Sequence, residues 1–281
     1  MKIGSGSCSG TFGELVQGVI EERPFLITLP VKELKSSALF VPDQNAIDIV
    51  TVRGRQKARM ACEKLLKTFG IKIGGYLHIH SNIPIGKGMA SSSADMIAAV
   101  RAVSDSYSLP VTEELISRIA AEIEPTDGVM YEGVVAYDYL NGQLIEAFAS
   151  LPPFTLIGFD VGGSVDTVEF NQQKKEYSKK HKKKFQQAYE LVTEGIRSGN
   201  FAYLCEAATI SARINQQLLP KPYFDELEQL AQQYNGGVVV AHSGTVIGIL
   251  LNAQLPNIQA ITREIKQKIY FLMGTSILQF S

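Results

Sequence analysis

Cysteine is scarce and scattered. Cys8, Cys62 and Cys205 lie far apart in a chain of 281 residues. No two have metal-ligand spacing, and an odd number argues against a disulfide framework. No apolar run reaches the roughly 18 residues that a membrane-spanning helix needs, so no membrane partner is expected. Neither sign of charge prevails, with 27 Lys and Arg against 28 Asp and Glu. A chain built to coat nucleic acid carries a basic excess, so no nucleic-acid partner is expected, and small molecules are the expected partners. Residues 1–10 are polar and rich in glycine and serine, without the apolar segment of a secretory signal. These absences lead to the expectation of a reducing, cytoplasmic compartment. What is present is ordinary globular material, 45% apolar and 20% charged, which excludes global disorder. At roughly 150 residues per domain, the length suggests two.

Short β-branched segments bounded by Pro, Asn and Asp predict strands over 25–29, 37–41 and 47–52. Met60, Leu65 and Leu66 recur at helical spacing and predict a helix over 57–69, stopped by Gly70. Residues 75–80 alternate as a half-buried strand. A Gly/Ser loop at 84–93 leads into a small-residue helix from about 92 to 104. A helix over 112–123 opens with an acidic first turn and ends at Pro125. Asn141-Gly142 predicts a hairpin between strands 133–139 and 143–149. Leu151-Pro152-Pro153 marks a boundary between two units, 1–150 and 151–281. Beyond it the expected order is a strand at 155–159 and helices at 172–198, 201–218 and 223–234. Strands at 236–241 and 246–251, a helix at 258–268 and a strand at 276–280 follow. Strands followed by helices, twice, predict an α+β fold rather than a doubly wound parallel sheet.

The chemistry concentrates in Pro84-Ile85-Gly86-Lys87-Gly88-Met89-Ala90-Ser91-Ser92-Ser93. Two glycines let the main chain approach a ligand closely. The serines fall where the first N–H groups of a helix are free and the dipole is positive, which suits a phosphate. Serine hydroxyls also hold a phosphate oxygen or magnesium, and Lys87 adds a positive charge. The plain alternative is a flexible turn before an ordinary capped helix. The Walker loop is excluded because Gly86-Lys87 is followed by glycine, not Ser or Thr. The dinucleotide fingerprint fails because Ser91 stands at its third glycine.

The segment resembles the second motif of the GHMP kinases (galacto-, homoserine, mevalonate and phosphomevalonate kinases), P-x-x-x-G-L-G-S-S-A. Pro84, Gly88, Ser91 and Ser92 match. Met89, Ala90 and Ser93 stand in place of Leu, Gly and Ala. Residues 9–18, with Gly13-Glu14-Leu15, resemble the first motif, P-G-K-x-x-L-x-G-E. Thr11 stands at its lysine, and Gln17 falls near its glutamate. Residues 241–248, Ala-His-Ser-Gly-Thr-Val-Ile-Gly, resemble the third. The resemblance implies the two-domain GHMP fold: an N-terminal ribosomal protein S5 domain 2-like unit and a C-terminal ferredoxin-like α/β sandwich. It implies ATP on the loop 84–93 and magnesium on Ser92 and Glu124. Asp127 takes the acceptor's hydroxyl proton, and Ser92 and Glu124 complete the catalytic set. The alternative for Glu124 and Asp127 is a solvated helix end and a plain turn.

The combination of Gly13-Glu14-Leu15, the loop through Met89-Ala90-Ser91-Ser92, Glu124-Pro125-Thr126-Asp127, Leu218-Leu219-Pro220-Lys221-Pro222 and Val240-Ala241-His242-Ser243-Gly244 is narrower. It resembles the L-threonine kinases of cobalamin synthesis, associated with propanediol utilisation. That implies phosphoryl transfer to L-threonine. Glu14, Lys221, His242, Ser243 and Gly244 are then candidates for holding its ammonium and carboxylate. An exposed turn for Lys221 and a hydrogen-bonded core position for His242 stay open. So do two other readings of the whole chain: a GHMP kinase for homoserine or another small alcohol, and a nucleotide-binding protein without catalysis. A homodimer also stays open. The Lys-rich run 174–184 reads as a solvated helix face, and His78 and His80 share one strand face without a third metal ligand nearby.

Overall fold

The computed structural model describes every residue except 149, 166–169, 171–174 and 275. Its longest elements are two strands, β1 (Gly4–Ile20) and β2 (Arg23–Pro42), paired antiparallel along their length. Glu21 and Glu22 join them, both at positive φ, the backbone that lets a two-residue turn follow the right-handed twist of a hairpin. β2 merges the strands expected at 25–29 and 37–41. Its Pro30 sits opposite Thr11, where the ladder slips register between Ser9/Gly10 and Thr11/Glu14. A proline is tolerated at such an irregularity because it removes no ladder bond there.

The glycine- and serine-rich start of the chain has no counterpart among the expected strands, yet it forms half of β1. Packing explains it. Helix α2 (Ser91–Tyr107) lies directly on this strand. A Cβ on Gly4 would stand 2.1 Å from the Ala102 carbonyl oxygen, and one on Gly6 2.3 Å from that of Ala98. Only a strand without side chains on that face admits a helix this close, and only a helix of Ala and Ser approaches it.

The remaining elements follow in chain order. They are β3 (Ile49–Thr51), α1 (Gln56–Thr68), β4 (Gly75–Ser81), α3 (Glu113–Ala121), β5 (Val134–Asp138), β6 (Gln143–Phe148) and β7 (Phe154–Asp160). Then come α4 (Lys179–Ser198), α5 (Phe201–Asn215), α6 (Phe224–Gln233), β8 (Gly237–Val240), β9 (Val246–Asn252), α7 (Ile258–Met273) and β10 (Leu278–Phe280). One sheet runs β10-β7-β9-β8-β1-β2-β4-β3, and β5 and β6 branch from β2. β3–β4 is parallel and the other described pairs are antiparallel. The mixed α+β architecture expected from the sequence is the one observed.

α4 starts at Lys179, where Ser178 accepts from His181 N–H at 3.2 Å. It was expected from 172; residues 172–174 of that stretch lie outside the described residues. α1, α2 and α3 cover the β1–β2–β4 end, α4 and α5 pack on β1, and α6 and α7 pack on β7, β8 and β9. The larger core draws Phe12, Leu15 and Ile97 together with Leu156, Phe185 and Leu204. A second core lies under α6 and α7. No helix among the described residues is long and apolar enough to cross a membrane.

Candidate active site

Between β4 and α2 the chain passes through Gly86, Gly88 and Ala90 at φ +73°, +76° and +60°. Alternate left-handed residues turn successive N–H groups toward one concavity, the shape that receives anions. Ala90 caps α2 with backbone alone: no side chain accepts from the first turn. The first helical bond runs from Ala94 N–H to the Ala90 carbonyl at 2.8 Å. The N–H groups of Ser91, Ser92 and Ser93 therefore have no intrahelical acceptor, at the positive end of a 17-residue helix.

The turn between β8 and β9 locks this loop from behind. A Cβ on Gly244 would stand 2.2 Å from the Lys87 carbonyl oxygen, and one on Gly88 2.5 Å from Ala241 Cβ. Thr245 N–H donates to the Lys87 carbonyl at 3.0 Å, and on the other side Thr11 N–H donates to the Met89 carbonyl at 3.2 Å. The three sequence motifs thus meet in space, held by main chain.

Two carboxylates from the segment after α3 face the serines. Glu124 accepts from the Ser92 hydroxyl on Oε1 and from the Lys57 ammonium, at 2.5 Å, on Oε2. Its side chain is 6% exposed. Asp127 accepts from the Ser93 hydroxyl at 3.2 Å, and Thr126 Oγ1 and Asp127 N–H both donate to Ser93 Oγ, at 2.9 and 3.3 Å. Burial pushes the Asp127 carboxyl up to about 7. The nearby charges of Glu14 and Glu124 add to this, and the Ser93 hydrogen bond opposes it.

Glu14 reaches the same cleft from β1. Gly13, at φ +60°, passes so close to Val240 that a Cβ would stand 2.4 Å from its carbonyl oxygen, and Glu14 pairs with Val240. Glu14 Oε2 accepts from His242 N–H at 2.8 Å and from His242 Nδ1–H at 2.9 Å. Burial lowers the His242 pKa against the pull of Glu14. His242 Nε2 and the Ser211 hydroxyl share a hydrogen bond at 2.7 Å. Behind it, Asn215 Nδ2 donates to the His242 carbonyl at 3.0 Å, and Lys221 Nζ donates to Asn215 Oδ1 at 3.2 Å. Lys221 is buried rather than the exposed turn residue that stayed open above, and burial pushes its ammonium down to about 8.

The cleft has a volume of 240 Å³. Of the residues singled out in the sequence, Glu14, Pro84, Gly86, Gly88, Met89, Ala90, Ser91, Ser92, Ser93, Glu124, Asp127 and Ser243 line it. His242 and Gly244 stand behind that lining. Lys87 belongs to the loop but does not line the cleft. Its ammonium is held by Asp160, at 2.6 Å, and by the Gly163 carbonyl, at 2.6 Å. Lys57 and Tyr139 line the cleft without having been singled out, and Thr126, noted only as part of its motif, lines it too. Lys57 lies in the run Arg53-Gly54-Arg55-Gln56-Lys57-Ala58-Arg59; that cluster of cations at a helix start was its only signal.

Ser92 and Glu124 offer hard oxygen donors adjacent to the loop 86–93, a donor set that suits magnesium. No group of three or more His, Cys, Asp or Glu among the described residues forms a metal cage.

The family described as GHMP kinases N terminal domain matches residues 56–133. The chain is 29% identical over 270 residues to an L-threonine kinase of Salmonella typhimurium, covering 93% of this chain and 87% of that one. It is 29% identical over 267 residues to an L-threonine kinase of Citrobacter freundii, covering 93% and 91%. A homoserine kinase structure from Cytophaga hutchinsonii superimposes with a TM-score of 0.75 at 14% identity, over 100% of this chain and 95% of that one. The mevalonate kinase structure from Methanococcus jannaschii does so with a TM-score of 0.67 at 16% identity, over 99% and 96%. At such identities the structural likeness speaks for the fold.

Proposed function

From a chain that matches the GHMP kinase N-terminal family over residues 56–133 and resembles two L-threonine kinases along nearly its whole length, we propose an enzyme that transfers the γ-phosphoryl group of ATP to the side-chain hydroxyl of L-threonine, giving ADP and O-phospho-L-threonine. The observation that carries this reading is one juxtaposition. A free helix N-terminus and a half-buried carboxylate, Asp127, line the same 240 Å³ cleft.

The backbone of 86–93 receives the β- and γ-phosphates, with the Ser91, Ser92 and Ser93 N–H groups and hydroxyls around them. Ser92 and Glu124 would hold magnesium, which would neutralise phosphate charge. Asp127 orients the threonine hydroxyl and accepts its proton. A new bond forms from that oxygen to the γ-phosphorus, the bond to the β,γ-bridging oxygen breaks, and the electron pair leaves on ADP. Glu14 receives the acceptor's ammonium, fixed in place by His242. Ser243 and Gly244 bound the acceptor side, and Lys221 supplies the positive field that an α-carboxylate needs. The two L-threonine kinases similar to nearly the whole chain support this acceptor. The product would feed assembly of the aminopropanol linker of cobalamin. Three buried, unpaired cysteines support a reducing, cytoplasmic setting.

Homoserine is the second acceptor to test. One experiment decides: ADP release with Mg-ATP against L-threonine, L-serine, L-homoserine, D-threonine and mevalonate, with mass detection of product. Strongest turnover on L-threonine is the expected result. Strongest turnover on another acceptor would discard the threonine assignment.

A further inference from the structure

The cleft that is to receive a polyphosphate is lined by three carboxylates, Glu14, Glu124 and Asp127, and by a single cationic side chain among the described residues, Lys57. The two lysine positions that the motifs offer do not serve. Motif one carries Thr11, which lies outside the cleft lining with its hydroxyl buried and unpartnered. Lys87 of motif two is bound to Asp160 and the Gly163 carbonyl. Helix N–H groups contribute partial charge only, and one divalent cation does not balance a triphosphate beside three carboxylates, so a nucleoside triphosphate entering this acidic cleft calls for a cationic side chain as well.

Lys57 is placed to provide it. It stands in the first turn of α1, whose preceding residue Arg55 is paired with Asp95 of α2. Asp95 also accepts from the Ser36 hydroxyl at 2.6 Å. The start of α1 is therefore tied to the helix that presents Ser91, Ser92 and Ser93. The Lys57 ammonium lies on one oxygen of the Glu124 carboxylate while the Ser92 hydroxyl lies on the other. The two groups are one carboxylate's width apart. Lys57 is 45% exposed, so its pair with Glu124 is wet and weakly held. Its four-carbon stem swings without disturbing the fold.

We propose that Lys57 is a phosphate-binding residue of the nucleotide site. It replaces the cationic side chain that motif one lacks, and it exchanges Glu124 for the β- and γ-phosphates when nucleotide enters. Before that exchange, Lys57 holds the Glu124 carboxylate in place.

The inference rests on the kinase reading, and binding titrations separate the two. Calorimetry on Lys57→Met and Lys57→Arg, with ATP, ADP and AMP and with EDTA present, reads the contact without turnover and without metal. The expected result is a loss of about tenfold or more in affinity for ATP and ADP in Lys57→Met, the scale of one charge-assisted hydrogen bond. AMP binding changes by less than about twofold, and Lys57→Arg retains most of the ATP affinity. An equal loss for all three nucleotides, or no loss for ATP, overturns the assignment. A thermal melt of the free variants confirms that each is folded. If the wild-type protein binds ATP but leaves L-threonine untouched, the acceptor assignment fails while the titration still judges Lys57. A wild-type protein that binds neither ATP nor ADP overturns both.

Discussion

Asp127 stands between two demands. To take a proton from an alcohol it must be ionised, yet burial and the neighbouring Glu14 and Glu124 push its carboxyl up to about 7. Turnover governed by this group rises as pH climbs through about 7. Asp127→Asn removes the proton acceptor while keeping shape, so kcat should fall by about 10²–10⁴-fold with ATP affinity near the wild-type value. Unchanged turnover in that variant would remove Asp127 from the mechanism. Stability moves the other way. A carboxyl whose folded pKa lies above its unfolded value makes the folded state bind more protons between about pH 4 and 7. The protein therefore loses stability as pH rises through that window. Asn escapes this, so Asp127→Asn should melt a few degrees higher than wild type at pH 8, with the advantage shrinking toward pH 4. Ala90 carries a different strain, a left-handed backbone at φ +60° that the superfamily motif fills with glycine. Ala90→Gly relieves it and should stabilise the protein by about 1 kcal/mol against urea, net of the glycine's extra unfolded-state entropy.

The pairing of β1 with α2 sets the distance between the sheet and the helix that carries the proposed phosphate site. A methyl group at Gly6 must displace the Ala98 carbonyl, which would stand 2.3 Å from it. Gly6→Ala should therefore cost about 1–3 kcal/mol and weaken nucleotide binding by tilting α2; an unchanged urea midpoint would show that the contact yields freely. This element was hard to read because glycine and serine disfavour strands intrinsically, and what makes 4–10 a strand is a helix almost a hundred residues away. The loop 84–93 was legible because its turn chemistry and its helix start are local. The hairpin at Asn141-Gly142 was legible for the same reason. Glu14 and His242 were legible as candidates, but their contact depends on the β1–β8 register, 228 residues apart in sequence. Lys87 shows the limit most directly. Its position beside two glycines suggested a phosphate, and its observed partner, Asp160, comes from β7, beyond the Pro152-Pro153 boundary.

The cleft exists only when both halves of the chain are in place. One sheet passes from β3 to β10 through the pairing of Glu14 with Val240. The larger core mixes side chains from before and after residue 150, and the loop is wedged between main chain of β1 and of the 241–245 turn. We treat the boundary near residue 150 as a seam in sequence across which the two units stabilise one another. Splitting the chain there would expose the β1 edge and the α4- and α5-facing side of the core to water at once, a burial loss that a small unit cannot absorb. Full-length protein should then unfold in urea in one transition, with tyrosine fluorescence and far-ultraviolet circular dichroism tracing the same curve. Saturating ATP should shift that curve as a unit, because a ligand that binds only the assembled cleft stabilises everything the cleft requires. Residues 1–150 expressed alone should show no cooperative transition and no ATP binding. A fragment that melts cooperatively and binds ATP would instead make the first unit self-sufficient and reduce the 241–245 turn to a cover.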